Sequence, residues 1–288
     1  MVAVRSWAHA KINLTLEVLG RRSDGYHEVM TVLQTIDLAD RLDVLPAPNL
    51  RVECDDLSLN GESNLVWQAA TKLAESQNIV PKARIIIRKR IPVGMGLGGG
   101  SSDAAAALVA LNELWELRLP DVELARVAAA LGSDVPFFLE GGTALGRGRG
   151  EQISPLPALP RLPVTLICPN STIPNKTASM YSRLNQSHYS DGGITTRMAQ
   201  ILNSGQFVVD MVYNVFDAVA YDAFPNLVTL FRNVDACSTA RPHLAGAGPT
   251  LFCLPYSEEQ HWRVQKALHP LGIEAYLVHT TSGPPKLE

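Results

Sequence analysis

The segment Pro92-Val93-Gly94-Met95-Gly96-Leu97-Gly98-Gly99-Gly100-Ser101-Ser102-Asp103 packs five glycines into seven residues. Glycine lets the backbone bend tightly and lets its N–H groups close on an anion. An alanine-rich helix follows, expected to open at Ser101 or Ser102. Its N-terminus adds free N–H groups and the positive end of the helix dipole. Serine hydroxyls there can reach a phosphate oxygen or a magnesium ion. Strand, glycine loop and helix N-terminus together make a phosphate cradle built from backbone. The P-loop spacing G-x-x-x-x-G-K-[ST] fails, because no lysine precedes Ser101. The dinucleotide spacing G-x-G-x-x-G is met at Gly94, Gly96 and Gly99, but it should be followed by another strand ending in an acid. Pro120 and Asp121, opening another helix, stand there instead. The protein-kinase signatures H-R-D and D-F-G are absent.

Four further places carry groups suited to chemistry. Asp134 lies between apolar runs before Pro136, where partial desolvation would suit a general base. An aspartate beside glycine and proline is more commonly a turn or capping residue, and local sequence alone favours that role. Lys11 and Asn13 share the polar face of a strand, where a lone lysine is usually solvated. Tyr26 and His27 follow an Asp-Gly turn and could grip a planar base by stacking and edge contacts, or be a half-buried pair with no ligand. Gly246-Ala247-Gly248-Pro249-Thr250 is a second glycine loop, leading either over phosphates or into a strand.

These groups need a scaffold. Lys11 to Leu19 alternates with period two, which predicts a half-buried strand, and Val29 to Leu38 a second one. Asn64 to Glu75 reads as a helix, Arg84 to Ile91 as a strand, and Asp121 to Leu131 as a helix stopped by Gly132. The prolines between Ser154 and Pro163 mark a linker. Beyond them come a strand at Val164 to Cys168, a helix at Thr195 to Leu202 and a strand at Leu251 to Leu254. Mixed elements without regular βαβα alternation favour an α+β fold. Residues Ser282 to Glu288, with two prolines, read as a frayed tail.

The chain has 288 residues, 46% hydrophobic, enough for one large domain or two ordinary ones. A net charge of -3 and a pI near 6.2 argue against a nucleic-acid binder. Cys54, Cys168, Cys237 and Cys253 are scattered without C-x-x-C, which fits buried thiols in a reducing compartment. No run reaches the roughly 18 apolar residues that would span a bilayer, and nothing resembles a secretory signal. A soluble cytoplasmic protein with no membrane partner is expected.

Taken together, Pro92 to Asp103 and Gly246 to Thr250 resemble the glycine motifs of the GHMP kinases, which include galactokinase, homoserine kinase and mevalonate kinase. Ala10-Lys11-Ile12-Asn13-Leu14, Gly20 to His27 and Leu131 to Phe137 are similar to the branch that phosphorylates a cytidine-diphosphate-linked methylerythritol in non-mevalonate isoprenoid biosynthesis. The resemblance runs from Lys11 to Leu254 and implies a two-domain α+β fold. An N-terminal ribosomal-protein-S5-domain-2-like domain would occupy 1–158, and an α/β-plait-like domain 159–288. It implies ATP with Mg2+, lying along Pro92, Val93, Gly94, Met95, Gly96, Leu97, Gly98, Gly99, Gly100, Ser101 and Ser102. Asn64 and Lys89 would reach adenine, and Ser102 would serve the metal. Asp134 would take the proton of the substrate's C2 hydroxyl, with Lys11 beside it and Asn13 positioning the same end. Tyr26 and His27 would hold the cytosine of a small-molecule substrate, and Tyr181 would supply an opposite wall where Leu33 replaces an aromatic. Gly246 and Gly248 would form the second loop.

Three rivals make different demands. Another GHMP kinase with a smaller alcohol has no use for a base grip at Tyr26 and His27. A dinucleotide-dependent oxidoreductase would retain nicotinamide. A binding module would hold ATP without turnover.

Overall fold

The computed structural model describes every residue except Met1, Val2, Asn170, Thr172, Pro225, Thr239 and Tyr256. Its strands are β1 (Val4–Arg21), β2 (His27–Leu45), β3 (Arg51–Cys54), β4 (Arg84–Arg88), β5 (Thr143–Arg147), β6 (Gln152–Pro155), β7 (Pro163–Ile167), β8 (Tyr213–Asn214), β9 (His243–Leu244), β10 (Leu251–Cys253) and β11 (Ala275–His279). Its helices are α1 (Leu65–Ser76), α2 (Gly99–Leu114), α3 (Asp121–Leu131), α4 (Val135–Glu140), α5 (Lys176–Ser182), α6 (Gly193–Asn203), α7 (Ala220–Ala223), α8 (Leu227–Cys237) and α9 (Glu258–Leu268). No helix among the described residues is long and apolar enough to cross a membrane.

The first sheet runs β3-β4-β2-β1-β8, with β5 and β6 continuing from β2. The second runs β11-β7-β10-β9. The long β1–β2 hairpin closes through Asp24, whose carboxylate accepts the Tyr26 N–H at 3.1 Å. α2 lies on β1 and β2, with α1, α3 and α4 packed around it. Ala104, Ala105, Ala106, Ala107 and Ala110 are fully buried, and such small side chains let the helix sit close to the strands.

The alternation at β1 predicts one wet face, and the structure has none. Lys11, Asn13, Thr15 and Glu17 are 4%, 4%, 0% and 1% exposed. Register shifts at His9/Ala10, Asn13/Thr15 and Val18/Gly20 re-aim side chains along the strand. Neighbouring β2 partners Asn13 and Thr15, and distant chain covers the apolar residues and Glu17. Ile12 and Leu14 share a layer with Met198 and Leu202 of α6 and with Leu166 and Phe252 of the second sheet. The Glu17 carboxylate accepts the Thr195 N–H at 2.6 Å and the Ser190 hydroxyl at 2.8 Å, so a buried charge holds the first turn of α6.

The proline-rich run carries the chain from β6 to β7, between the two sheets. The second half nevertheless returns to the first sheet, because β8 pairs in parallel with β1 at Thr15 and Leu16. The tail is not frayed, contrary to its composition. Ser6 and Leu287 form a bridge, and the Arg5 and Glu288 backbones exchange hydrogen bonds of 3.0 and 2.9 Å. Unpaired backbone along β1 supplies these partners, and prolines at 284 and 285 leave the later N–H groups free to pair. Cys54 and Cys253 are buried and Cys168 and Cys237 half-buried; all four are free, and burial pushes each thiol up.

The tail crosses Gly141 closely. Gly141 has φ +66°, and a Cβ there would lie 1.9 Å from the Gly283 carbonyl oxygen. Gly141→Ala should therefore destabilise the fold by about 1–3 kcal/mol. In a chain truncated after residue 281 that penalty should shrink, as comparison of urea melts of the four variants would show.

Candidate active site

Gly94, Gly96 and Gly98 have φ of +74°, +85° and +76°, while Met95 and Leu97 between them stay out of the left-handed region. This alternation turns successive N–H groups toward one side and makes an anion nest. α2 then begins at Gly99, with Gly98 as its cap, two or three residues earlier than the sequence suggests. The first intrahelical bond runs from the Ser102 N–H to the Gly98 carbonyl, so the Gly99, Gly100 and Ser101 N–H groups stay free for a ligand. Val93 is exposed at the rim, whereas Leu97 points into the core and Pro92 and Met95 are half-buried.

β1 pins this loop. The Lys11 N–H donates to the Leu97 carbonyl at 2.9 Å, and the Ser102 hydroxyl donates to the His9 carbonyl at 2.6 Å. The second glycine loop closes against the first. A Cβ at Gly96 would lie 2.1 Å from the Ala245 carbonyl oxygen and 3.0 Å from that of Gly248. A Cβ at Gly246 would meet the Gly96 carbonyl at 3.1 Å and the Lys11 Nζ at 3.2 Å. Asn214, following the β8 pairing, donates to the Leu244 and Gly246 carbonyls at 2.8 Å each and fixes that loop from behind.

Lys11 and Asp134 meet at this junction, with Nζ 3.5 Å from Oδ2. Asp134 occupies the cap position of α4 but makes no capping hydrogen bond. Its carboxylate is 40% exposed, free of the structural role that local sequence favours. Lys11 also donates to Asn13 Oδ1 at 2.8 Å; Asn13 Nδ2 donates to Thr31 at 2.8 Å, and Thr31 donates to the Thr15 carbonyl at 2.6 Å. This chain of bonds fixes the lysine's direction.

Three expected ligand contacts meet side chains already engaged inside the protein. Ser102 is 1% exposed with its hydroxyl turned to β1, so the expected magnesium contact does not fit it; Ser101 stands at the helix mouth. The Lys89 ammonium lies 2.5 Å from Asp40 and 2.7 Å from Asp103 beneath the loop, rather than toward an adenine. Burial alone would lower the Lys89 pKa, but the two carboxylates hold it above its ordinary value. The Asp103 carboxyl is pushed up by burial, relieved by Lys89 and reinforced by Asp40. Asn64 caps α1, accepting the Val66 N–H at 2.8 Å and donating to the Leu59 carbonyl at 2.8 Å. No trio of His, Cys, Asp or Glu among the described residues could hold a metal ion.

At the other end, His27 stacks on Tyr181 at 4.8 Å between centroids. That spacing leaves no room for a third ring, so Tyr181 backs His27 instead of facing it across a base. Tyr26 is 54% exposed, with the Arg149 guanidinium 4.8 Å over its ring. Leu33 is buried in the core and lines nothing. Burial, then the nearby Asp134 charge, pushes the Tyr181 hydroxyl up, which ties this end to the Lys11–Asp134 end.

Sequence reasoning missed Lys176. Its ammonium donates to the Gly94 carbonyl at 2.8 Å and to the Gly248 carbonyl, one from each glycine loop. A lysine after an asparagine in a polar stretch carries no local signal. It also missed Asp40, whose only clue is a charge inside a β-rich run. A separate cavity of about 520 Å³, lined by Tyr213, Asp217, Arg241 and His243, lies behind the second loop. It is lined by neither Lys11 nor Asp134.

The chain matches the family model described as the GHMP kinases N terminal domain over residues 64–142. It is 39% identical over 274 residues to 4-diphosphocytidyl-2-C-methyl-D-erythritol kinase of Dehalococcoides mccartyi, covering 95% of this chain and 96% of that one. Identity to the enzyme of the same name from Bacillus cereus is 38% over 278 residues, 94% of each chain. A crystal structure of 4-(cytidine 5'-diphospho)-2C-methyl-D-erythritol kinase superposes with a TM-score of 0.81 at 33% identity, over 97% of this chain and 100% of the other. Homoserine kinase from Cytophaga hutchinsonii, at 18% identity and a TM-score of 0.75 over 99% and 97% of the two chains, shares the fold.

The buried Asp40–Lys89–Asp103 cluster yields a stability prediction. Lys89→Met should cost about 3–5 kcal/mol, because two carboxyl groups lose their shared cation. The folded Asp103 pKa lies above its unfolded value, so the native state holds the proton more tightly. The stability that Asp103 itself contributes should then be lost as pH rises from about 4 to 7. Urea melts across that range should show this part of the pH dependence missing when Asp103→Asn is compared with wild type.

Proposed function

The chain belongs to the 4-diphosphocytidyl-2-C-methyl-D-erythritol kinase family within the GHMP kinases, and we propose how its residues divide the labour of that reaction. It is an ATP-dependent phosphotransferase acting on an alcohol, the C2 hydroxyl of the cytidyl methylerythritol diphosphate, and it yields the 2-phosphate and ADP.

The observation that carries the assignment of roles is the Lys11–Asp134 contact at 3.5 Å, on a strand that is itself bonded to the glycine loop. Phosphoryl transfer asks little covalent chemistry of a protein; it asks for alignment and for positive potential on the moving oxygens. The nest of Gly94 to Gly98 and the free N–H groups of Gly99, Gly100 and Ser101 hold the ATP phosphates. Asp134 accepts the hydroxyl proton as the oxygen attacks the γ-phosphorus. Lys11 lies against both the carboxylate and the second loop, where charge gathers on the attacking oxygen. Asn13, held by Thr31, positions the polyol. With Ser102 turned inward, Ser101 is the hydroxyl that would face a magnesium ion bound with ATP, and such an ion would supply positive charge to the phosphates. Adenine contacts near Asn64 and Lys89 come from backbone or aliphatic stem, since their polar ends are engaged.

His27 holds the cytosine. Burial, then Arg21, lowers its pKa, so near neutral pH one ring nitrogen donates and the other accepts, as a cytosine edge requires. The base lies on the open side of His27, opposite Tyr181, with Tyr26 at its rim. A division at 158/159 goes with this reading: the first part carries the cradle, Lys11 and Asp134, and the second closes over them with Gly246, Gly248 and Tyr181.

ADP release should be seen with Mg-ATP and the cytidyl methylerythritol diphosphate, and not with methylerythritol phosphate, mevalonate or homoserine. Turnover of mevalonate or homoserine would overturn the substrate assignment. Asp134→Asn should keep the fold and lose roughly 10²–10⁴ in kcat; near-normal turnover would remove Asp134 from the mechanism. His27→Ala should raise KM for the cytidyl substrate about tenfold and leave that for ATP unchanged, whereas equal losses would count against the base grip.

A further inference from the structure

A nest that offers N–H groups to phosphates must turn the alternate carbonyls away, and those oxygens need donors of their own. Lys176, at the first turn of α5, meets this need for both loops at once. Its ammonium donates to the carbonyl of Gly94, 82 residues earlier, and to that of Gly248, 72 residues later. Both glycines are left-handed, with φ of +74° and +71°, and both carbonyls face the lysine. The charged groups facing Lys176 are Lys11 from β1 and Asp134 from the start of α4. Three functional groups from three elements thus share one small volume beside the cradle.

We propose that Lys176 is a positioning residue that locks the two glycine loops into one cradle and adds a second positive charge, beside Lys11, to the field around the transferring phosphoryl group. The division of labour is asymmetric. Lys11 borders the attacking oxygen, whereas Lys176 acts through the loops and through its charge. Burial, then Lys11, lowers the Lys176 pKa to about 8, with Asp134 opposing. The ammonium form is the working one, so its contribution is complete well below pH 8 and is lost as pH rises through that value. A neutral amine still has two N–H donors for the two carbonyls but no charge to offer the phosphates. Alkaline pH therefore separates the lock from the field. Arginine at the same place stays charged and can span both carbonyls.

This role rests on the kinase reading above, and two independent measurements keep the two ideas apart. Hydrogen exchange by mass spectrometry, on the whole protein without substrate, reads the lock. Lys176→Met should speed exchange in peptides covering both 98–104, where the Ser102 N–H donates to the Gly98 carbonyl, and 245–250, and Lys176→Arg should restore protection. Unchanged exchange in either loop of the methionine variant would overturn the lock, whatever the substrate proves to be. Steady-state kinetics read the field. Lys176→Met should lower kcat roughly 10- to 100-fold and flatten the alkaline limb near pH 8. Lys176→Arg should keep most of the activity and move that limb upward by a unit or more. A limb at the same pH in wild type and Lys176→Arg would overturn the charge role. A wild-type protein inert toward the cytidyl substrate, with both loops loosened in Lys176→Met, would sink the kinase reading and leave the lock standing.

Discussion

The site hangs on a backbone-to-backbone contact that no side chain could survive. At Gly96 a Cβ would lie 2.1 Å from the Ala245 carbonyl oxygen. The two chain segments that touch there come from opposite halves of the sequence. Everything larger serves to bring them together: the proline-rich crossing between the sheets, the short β8 strand that returns to β1, and Asn214, which bonds to the carbonyls of Leu244 and Gly246. A fold that misplaced the second sheet by an ångström would still be packed, but it would have no cradle.

β1 is the beam from which this contact is hung. Its backbone ties to Leu97 and, through Ser102, to the first turn of α2. Its side chains supply Lys11 and Asn13, and its Glu17 anchors α6. A strand with polar residues at alternate positions normally leaves one face to water. Here the buried polar side chains from Lys11 to Glu17 have internal partners: Lys11 has Asn13, Asn13 has Thr31, Thr15 receives the Val32 N–H, and Glu17 receives Ser190 and Thr195. That satisfaction makes the burial tolerable.

What was legible in the sequence follows the range of each interaction. The glycine loop and the helix after it are local, and α2 starts only two or three residues earlier than its sequence suggests. The β1 alternation was visible, but its covered polar face was not, because α6 lies some 180 residues away. Lys89 and Ser102 sit beside and within the phosphate motif, and their true partners, Asp40 and His9, lie far back in the chain. The pairing of Lys11 with Asp134 came from family resemblance; neither residue's neighbours announce it. Lys176 escaped both routes, since its two bonds go to carbonyls, which leave no mark in a sequence. The tail was misread from its prolines, although the open backbone edge of β1 decides its fate.

The bridging lysine has a consequence for how the protein comes into being. A ribosome delivers Gly94 82 residues before Lys176, and a further 72 pass before Gly248. While only the first half has emerged, β1 can already bond to Leu97 and Ser102, but the Gly94 carbonyl has no lysine to meet and Gly96 has no second loop to close on. The joined arrangement of the two loops is therefore among the last features that synthesis completes.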